Sequence, residues 1–343
     1  MNAPLKLSIV DQSPVHDNGT QAQALLNTLT LAEYADRLGY HRYWIAEHHA
    51  TPSYASPCPE IVIGRIAAAT HRIRVGSGGV MLQHYSPYKV AEIFRTLSAF
   101  HGDRIDLGIG RAPGGAQKPS VALAYPHYPS AGDDFVERLQ LLSGFLFDDL
   151  PSEHPLHDLD VTPAGAVIPQ LWSLGSSDGS IGLAASHGIG FVLALFIGTQ
   201  ERPAHYFEEY RRLFRPRPSS SQKKPQGIIA NAVITADTAE EAKLLASSHT
   251  YWKVLAFLHG IREGLRPPEE CLDLVKKLSP SDQAYFHETR DSMITGTPEQ
   301  CRERIEAQCA YYGVDEFMAV AVTHSFEKRR QSYRKLADAF ALS

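Results

Sequence analysis

Residues 73–110, IRVGSGGVMLQHYSPYKVAEIFRTLSAFHGDRIDLGIG, carry the pattern from which the fold is read. Ile73 to Leu82 is predicted as a strand. Pro87 to Phe100 is predicted as a helix, with proline in the first turn, where its missing N–H leaves no hydrogen bond unmade. Ile105 to Gly110 is the next strand. Strand, helix and strand in this order form a βαβ unit with its two strands parallel.

The unit repeats in both directions. Upstream lie a first strand at Leu7 to Asp11, a helix from Gln21 to Leu38 closed by Gly39, a second strand at Arg42 to Glu47 and a helix near Glu60 to Thr70. Downstream come a helix from Asp133 to Phe147, a fifth strand at Gln170 to Leu174 and a helix from Gly179 to His187. The sixth strand, Gly190 to Phe196, is nearly all apolar, as a strand covered on both faces should be. A helix from Glu201 to Phe214, a seventh strand at Gly227 to Ile234 and a helix opening at Asp237 or Thr238 follow. Pro298 to Tyr312 (helix), Phe317 to Val322 (strand eight) and Phe326 to Phe340 (helix) end the chain. Eight strand–helix pairs predict one α/β domain over residues 1–343, a (β/α)8 TIM barrel. A doubly wound dinucleotide-binding sheet fits less well, because the first strand leads into Gln12-Ser13-Pro14 and not into a glycine fingerprint.

Two segments interrupt the alternation. Pro151 to Pro169 is a polar connection. Leu258 to Met293, or about 258–295 with its flank, is an insertion before the last strand. Excursions from the C-terminal ends of barrel strands lie over the mouth, so a lid is expected there. The serine- and lysine-bearing Pro216 to Pro225 reads as a solvated surface loop.

Of the 343 residues, 43% are hydrophobic and 21% charged, enough for a large core and against disorder. Apolar runs such as Phe191 to Ile197 are too short for a bilayer, and Met1 to Lys6 lacks the sections of a signal peptide. A net charge of −5 without a basic run argues against nucleic-acid or membrane surfaces. Cys58, Cys271, Cys301 and Cys309 have neither zinc-site nor disulfide-framework spacing, so free thiols in the reducing cytoplasm are expected.

Barrel chemistry gathers at the C-terminal ends of strands. Strand two ends in Glu47-His48-His49. Alternation sends neighbouring side chains to opposite sides, so one imidazole can face the lumen while the other packs outward. A histidine there can handle a proton near neutral pH. Metal binding is the weaker reading, since no H-x-H stands at strand one. In strand three, Gly76, Ser77, Gly78 and Gly79 suit the approach of a flat ligand or a bulge. After strand five, Gly175-Ser176-Ser177-Asp178-Gly179-Ser180 leads into a helix, which is either an ordinary N-cap or an anion site. Arg111, beside Gly110 at the end of strand four, adds a forked cation suited to phosphate.

AEHH after strand two, VGSGGVML with His84 and Ser86-Pro87 at strand three, and DRIDLGIGRAPGG at strand four resemble the luciferase-like flavin-dependent monooxygenases, in their alkanal monooxygenase-like branch. The likeness covers nearly the whole chain. It implies reduced FMN, supplied by a separate NAD(P)H:flavin reductase, that traps O2 as a flavin hydroperoxide and oxygenates a small organic substrate. His48 matches the catalytic histidine of bacterial luciferase, with Glu47 the adjoining acid. Ser77 and Gly78 fall where relatives carry a non-prolyl cis peptide beneath the flavin ring, with Gly79 and Gly110 beside it. Arg111, Ser177 and Ser180 fall on phosphate-binding positions, with Gly179 at the same helix start, and Ser176 replaces a glutamate whose backbone serves luciferase. Gly110 stands where luciferase has cysteine and Gln83 where many relatives have proline, which weakens any expectation of light emission or long-chain aldehyde specificity. The resemblance also implies a homodimer. A deazaflavin-dependent dehydrogenase or reductase on the same barrel, and a flavin-binding protein without turnover, are the competing expectations.

Overall fold

Eight parallel strands close on themselves in a computed structural model that describes residues 4–16, 18–111, 117–125, 134–176, 178–198 and 202–343. In chain order the elements are β1 (Lys6–Asp11), α1 (Gln21–Arg37), β2 (Arg42–Ile45), α2 (Pro59–Ala69), β3 (Arg74–Ser77), β4 (Val80–Met81), α3 (Pro87–His101), β5 (Ile105–Gly110), α4 (Gln117–Ala124) and α5 (Phe135–Phe147). They continue as β6 (Gln170–Gly175), α6 (Gly179–Ser186), β7 (Gly190–Ala194), α7 (His205–Leu213), β8 (Gly227–Thr235), α8 (Ala239–Lys253), α9 (Pro268–Val275), α10 (Pro280–Ser292), β9 (Ile294–Gly296), α11 (Pro298–Tyr312), β10 (Glu316–Val320) and α12 (Phe326–Ala339). The ring runs β10–β1–β2–β3–β5–β6–β7–β8 and back to β10. It is the (β/α)8 barrel expected from the sequence.

Alternation along each strand builds two cores. On β2, Tyr43 and Ile45 face outward into the strand–helix core, while Trp44 and the following Ala46 face the lumen with Val10, Trp172, Val192 and Met318. The N-terminal end of the lumen is closed by charge. Arg42 donates to Asp106 and to Glu316 (both 2.8 Å), Arg74 donates to Asp106 (2.7 Å), and the Trp44 indole N–H reaches Asp106 at 2.9 Å. Every charge in this plug has a partner, which leaves the opposite end of the barrel for chemistry.

Several boundaries differ from the sequence expectations. Strand two stops at Ile45, so Glu47 and both histidines lie on the extended segment beyond it. Strand three is broken into β3 and β4 by Gly78 and Gly79, which also carry the cis peptide, one bond beyond the expected Ser77–Gly78 position. Helix α4 and strand β9, which pairs with β8 outside the ring, were not expected. The starts expected at Asp133 and Glu201 lie outside the described residues.

The insertion forms its own small core. Cys271, Val275 and Phe286 of α9 and α10 pack on Tyr251, Val254 and Leu255. Leu265 reaches into the lumen cluster beside Tyr54 and Trp252. Helix α8 passes into a single π-helical turn, Val254–Leu258, where the insertion begins. Among the described residues no helix is long and apolar enough to cross a membrane.

Candidate active site

The segment after β2 leaves the barrel extended, with the Ala46 N–H still bonded to the Asp11 carbonyl (2.9 Å). The alternation of β2 therefore continues: Trp44, Ala46 and His48 share one side, Glu47 and His49 the other. The His48 ring packs on Tyr54 of the lumen cluster at 4.6 Å between centroids, and its backbone N–H is anchored on the Ser56 carbonyl (3.0 Å). Its Nδ1 is buried without a hydrogen-bond partner among the described residues. Burial, helped by the charges of His49 and Arg262, pushes the His48 imidazolium down to about 4, so the ring is neutral near pH 7. Beyond it the Tyr54 hydroxyl pairs with His249 Nε2 at 3.2 Å, and His249 stacks on Trp252.

Glu47 faces the other way and is only 1% exposed. Its carboxylate accepts from the Met81 N–H (2.9 Å) and the Tyr85 hydroxyl (2.7 Å), and it pairs with His49 Nε2 (2.7 Å). Two of these contacts tie the chain after β2 to β4 and the segment that follows it.

The strand-three glycines answer to the protein's own packing. A Cβ on Gly76 would stand 2.5 Å from the Asp106 carbonyl oxygen, on Gly78 2.8 Å from a Val10 methyl, and on Gly79 2.8 Å from the Gly108 carbonyl oxygen. Ser77 Oγ donates to the Gly108 carbonyl (2.8 Å) and accepts from the Gly108 N–H (3.0 Å). Gly110 is more open, its nearest neighbour being the Met81 sulfur at 3.6 Å.

Gly110 pairs with Leu174 across β5 and β6, so Arg111, the first residue past β5, stands beside Gly175, the last residue of β6. This brings Arg111, Ser176, Gly179 and Ser180 to one corner of the mouth; Ser177 lies outside the described residues. Two details there were not legible in the sequence. The Asp178 carboxylate already accepts the Gly179 N–H (2.8 Å), and Arg202 Nε donates to the Ser176 carbonyl (2.6 Å). Tyr54, His249, Trp252 and Lys253 at the mouth were also missed. The available signal was the run His249-Thr-Tyr-Trp252-Lys253 on the helix after strand seven, whose spacing places those three residues on one face.

Among the described residues, the buried polar atoms near this end without a hydrogen-bond partner include His48 Nδ1 and Gln12 Oε1, just past β1. Buried polar groups are normally hydrogen-bonded, so a polar ring bound here would supply what the protein leaves unmade. The open Gly110 and the cation at Arg111 are compatible with such a ring carrying a phosphate tail.

Comparison with known proteins gives consistent matches. A family model described as luciferase-like monooxygenase matches residues 5–316. An uncharacterised Bacillus subtilis protein, YwcH, is 42% identical over 98% of this chain and 99% of its own length. The N-acetyl-S-alkylcysteine monooxygenase of the same organism is 37% identical, covering 98% of each chain. Among solved structures, apo-MsnO8 is 39% identical with a TM-score of 0.86 over 99% of both chains.

Proposed function

The chain belongs to the luciferase-like monooxygenase family, and on that premise we propose that it is an FMN-dependent monooxygenase that receives reduced FMN from a separate flavin reductase and oxygenates a small organic substrate. When bound, reduced FMN would supply the two electrons that let one oxygen atom of O2 enter the substrate while the other leaves as water. The observation that supports this reading best is His48: a neutral imidazole at the barrel mouth with a buried, unpartnered Nδ1. Such a nitrogen can accept a hydrogen bond or a proton at the reacting centre, and its low basicity lets the proton go again. Glu47 is read as a positioning residue, since its oxygens are engaged away from the lumen.

Ser77, Gly78, Gly79 and Gly110 would form the wall beside the flavin ring. Arg111 and Arg202, with Ser176, Ser177, Gly179 and Ser180, would hold the phosphate. Asp178 competes for the Gly179 N–H, so the main attraction is assigned to the two guanidinium groups. Residues 258–295 are proposed as a lid, and the working unit as a cytoplasmic homodimer.

The test is oxygen consumption with FMN, a flavin reductase and a panel of small organic compounds, with 18O2 as the oxygen source. One labelled atom in the product is expected. Replacing His48 by glutamine should lower turnover by roughly 10²–10⁴-fold while FMN still binds. Substrate oxidation by hydride transfer to a deazaflavin, with no oxygen use, would reassign the protein as a dehydrogenase. Flavin binding without any turnover would leave it a carrier.

A further inference from the structure

One wall of the mouth is built by the end of α8, the loop after β2 and the start of the insertion, joined where the Tyr54 hydroxyl meets His249 and Trp252 Nε1 meets the Glu263 carbonyl. It holds two cations. Lys253, in the last turn of α8, is 7% exposed. Among the described residues its ammonium group makes one hydrogen bond, to the carbonyl of Phe196 just past β7 (2.9 Å), and no ion pair. An ammonium has three donors, so two of its N–H groups are unmatched in a desolvated site. Burial alone lowers this lysine to about 8, with no carboxylate offsetting it. Arg262, the second cation, is half-buried in the insertion and acts on His48 through space. It makes no hydrogen bond or ion pair with the described residues, because its chain neighbour Glu263 is held by Arg266 (2.6 Å).

Among the described residues, the polar rings facing this wall, Tyr54 and His249, carry no negative charge. Tyr54 stays a neutral phenol, its ionisation pushed up by burial, and His249 is held well below the usual histidine range by burial, with Lys253 and His48 adding to the effect. The nearby carboxylates are spent elsewhere, Glu47 on His49 and Asp11 on Arg329. Apolar surface from Tyr54, Trp252, Phe196 and Leu265 surrounds the cations. A buried cation without a counter-charge is costly unless something arrives to pair with it.

We propose that the substrate is an organic acid, with its anionic head between Lys253 and Arg262 and its apolar body against Tyr54 and Trp252, beside His48. This rests on the monooxygenase reading only for the identity of the reaction, because the site itself is a binding site. Substrate and FMN phosphate would then use different cations, Lys253 and Arg262 for the acid, Arg111 and Arg202 for the phosphate.

The experiment measures binding of hexanoate, hexane-1-sulfonate and hexanamide to the FMN-loaded protein, with and without oxygen turnover, by calorimetry and Trp fluorescence. The two acids should bind roughly 30-fold or more tightly than the amide. Lys253→Met and Arg262→Gln should each remove most of that preference, leaving hexanamide and FMN affinity in place, and Lys253→Arg should restore part of it. A preference for hexanoate over the sulfonate, or the reverse, identifies the acid head. Equal binding of acid and amide by the unaltered protein would overturn the proposal, as would a Lys253→Met variant that loses FMN more than it loses hexanoate. If the acids bind as expected and no oxygen is consumed, the reaction assignment fails while the site stands.

Discussion

At the scale of single residues, Glu47, His48 and His49 are adjacent in sequence and divided in role. The alternation of β2 was legible, and with it the expectation that the two imidazoles face opposite sides. What the sequence could not give was the partner of Glu47, because Met81 and Tyr85 come 34 and 38 residues later and meet it only after strand three has docked. Burial and the Glu47 charge raise the ionisation of Tyr85, so it remains a donor at any ordinary pH. Glu47→Ala would leave the Met81 N–H, the Tyr85 hydroxyl and the His49 ring short of an acceptor in a dry pocket. Each unmatched group costs about 1–3 kcal/mol, so a combined loss of roughly 3–5 kcal/mol is expected in urea denaturation. A loss within about 0.5 kcal/mol would show that this carboxylate does not pin the two segments together.

Among the elements, strand three carries a packing constraint that was not read from the sequence. The glycines were expected to suit the approach of a flat ligand or a bulge, and neighbouring strands and Trp44 crowd them as well. Gly108 on β5 is held in the same way, its added Cβ falling 2.2 Å from the Ser77 carbonyl oxygen. That neighbour is backbone and cannot rotate aside. Gly108→Ala is therefore expected to destabilise the barrel by at least about 3 kcal/mol, whereas exposed Gly182 on α6, with open space at its Cβ, should gain up to about 1 kcal/mol as alanine. Thermal unfolding of the two variants checks the contrast, and a Gly108→Ala variant as stable as the parent would show that the β3–β5 contact gives way. The eight strand–helix pairs were legible because hydrophobic period and turn residues repeat along the chain. Helix α4 was missed because its eight residues include Pro119 and bury only Ser120, and β9 because three residues ending in glycine carry no period. The insertion was visible as a break in the alternation, but its two helices and its grip on α8 depend on long-range packing.

For the molecule as a whole, the buried histidines set the response to acid. His16 and His48 are pushed down to about 4, chiefly by burial, and burial also holds His249 well below the usual histidine range. In the unfolded chain each titrates near 6.5. Between those values the unfolded state binds more protons than the native one, so stability is full above pH 6.5 and falls as pH drops toward 4. Asp11 and Asp106, burdened by burial but held below the usual carboxylate range by Arg329 and Arg42, contribute stability that is lost only below about 3.8. Glu60, raised by burial, has the opposite sign and favours the native state in acid, one group against several, since His41 and His187 are also pushed down to about 4 by burial. The window from pH 6.5 to 4 therefore belongs to the histidines, at up to about 1.4 kcal/mol per pH unit for each. Urea midpoints for the cofactor-free protein should fall between pH 7 and pH 5, and more gently in a His48→Gln variant, which has one fewer neutral imidazole to protonate. Identical midpoints at the two pH values would mean that these rings take up protons in the folded state without penalty, and the neutral His48 required at the barrel mouth would be lost with them.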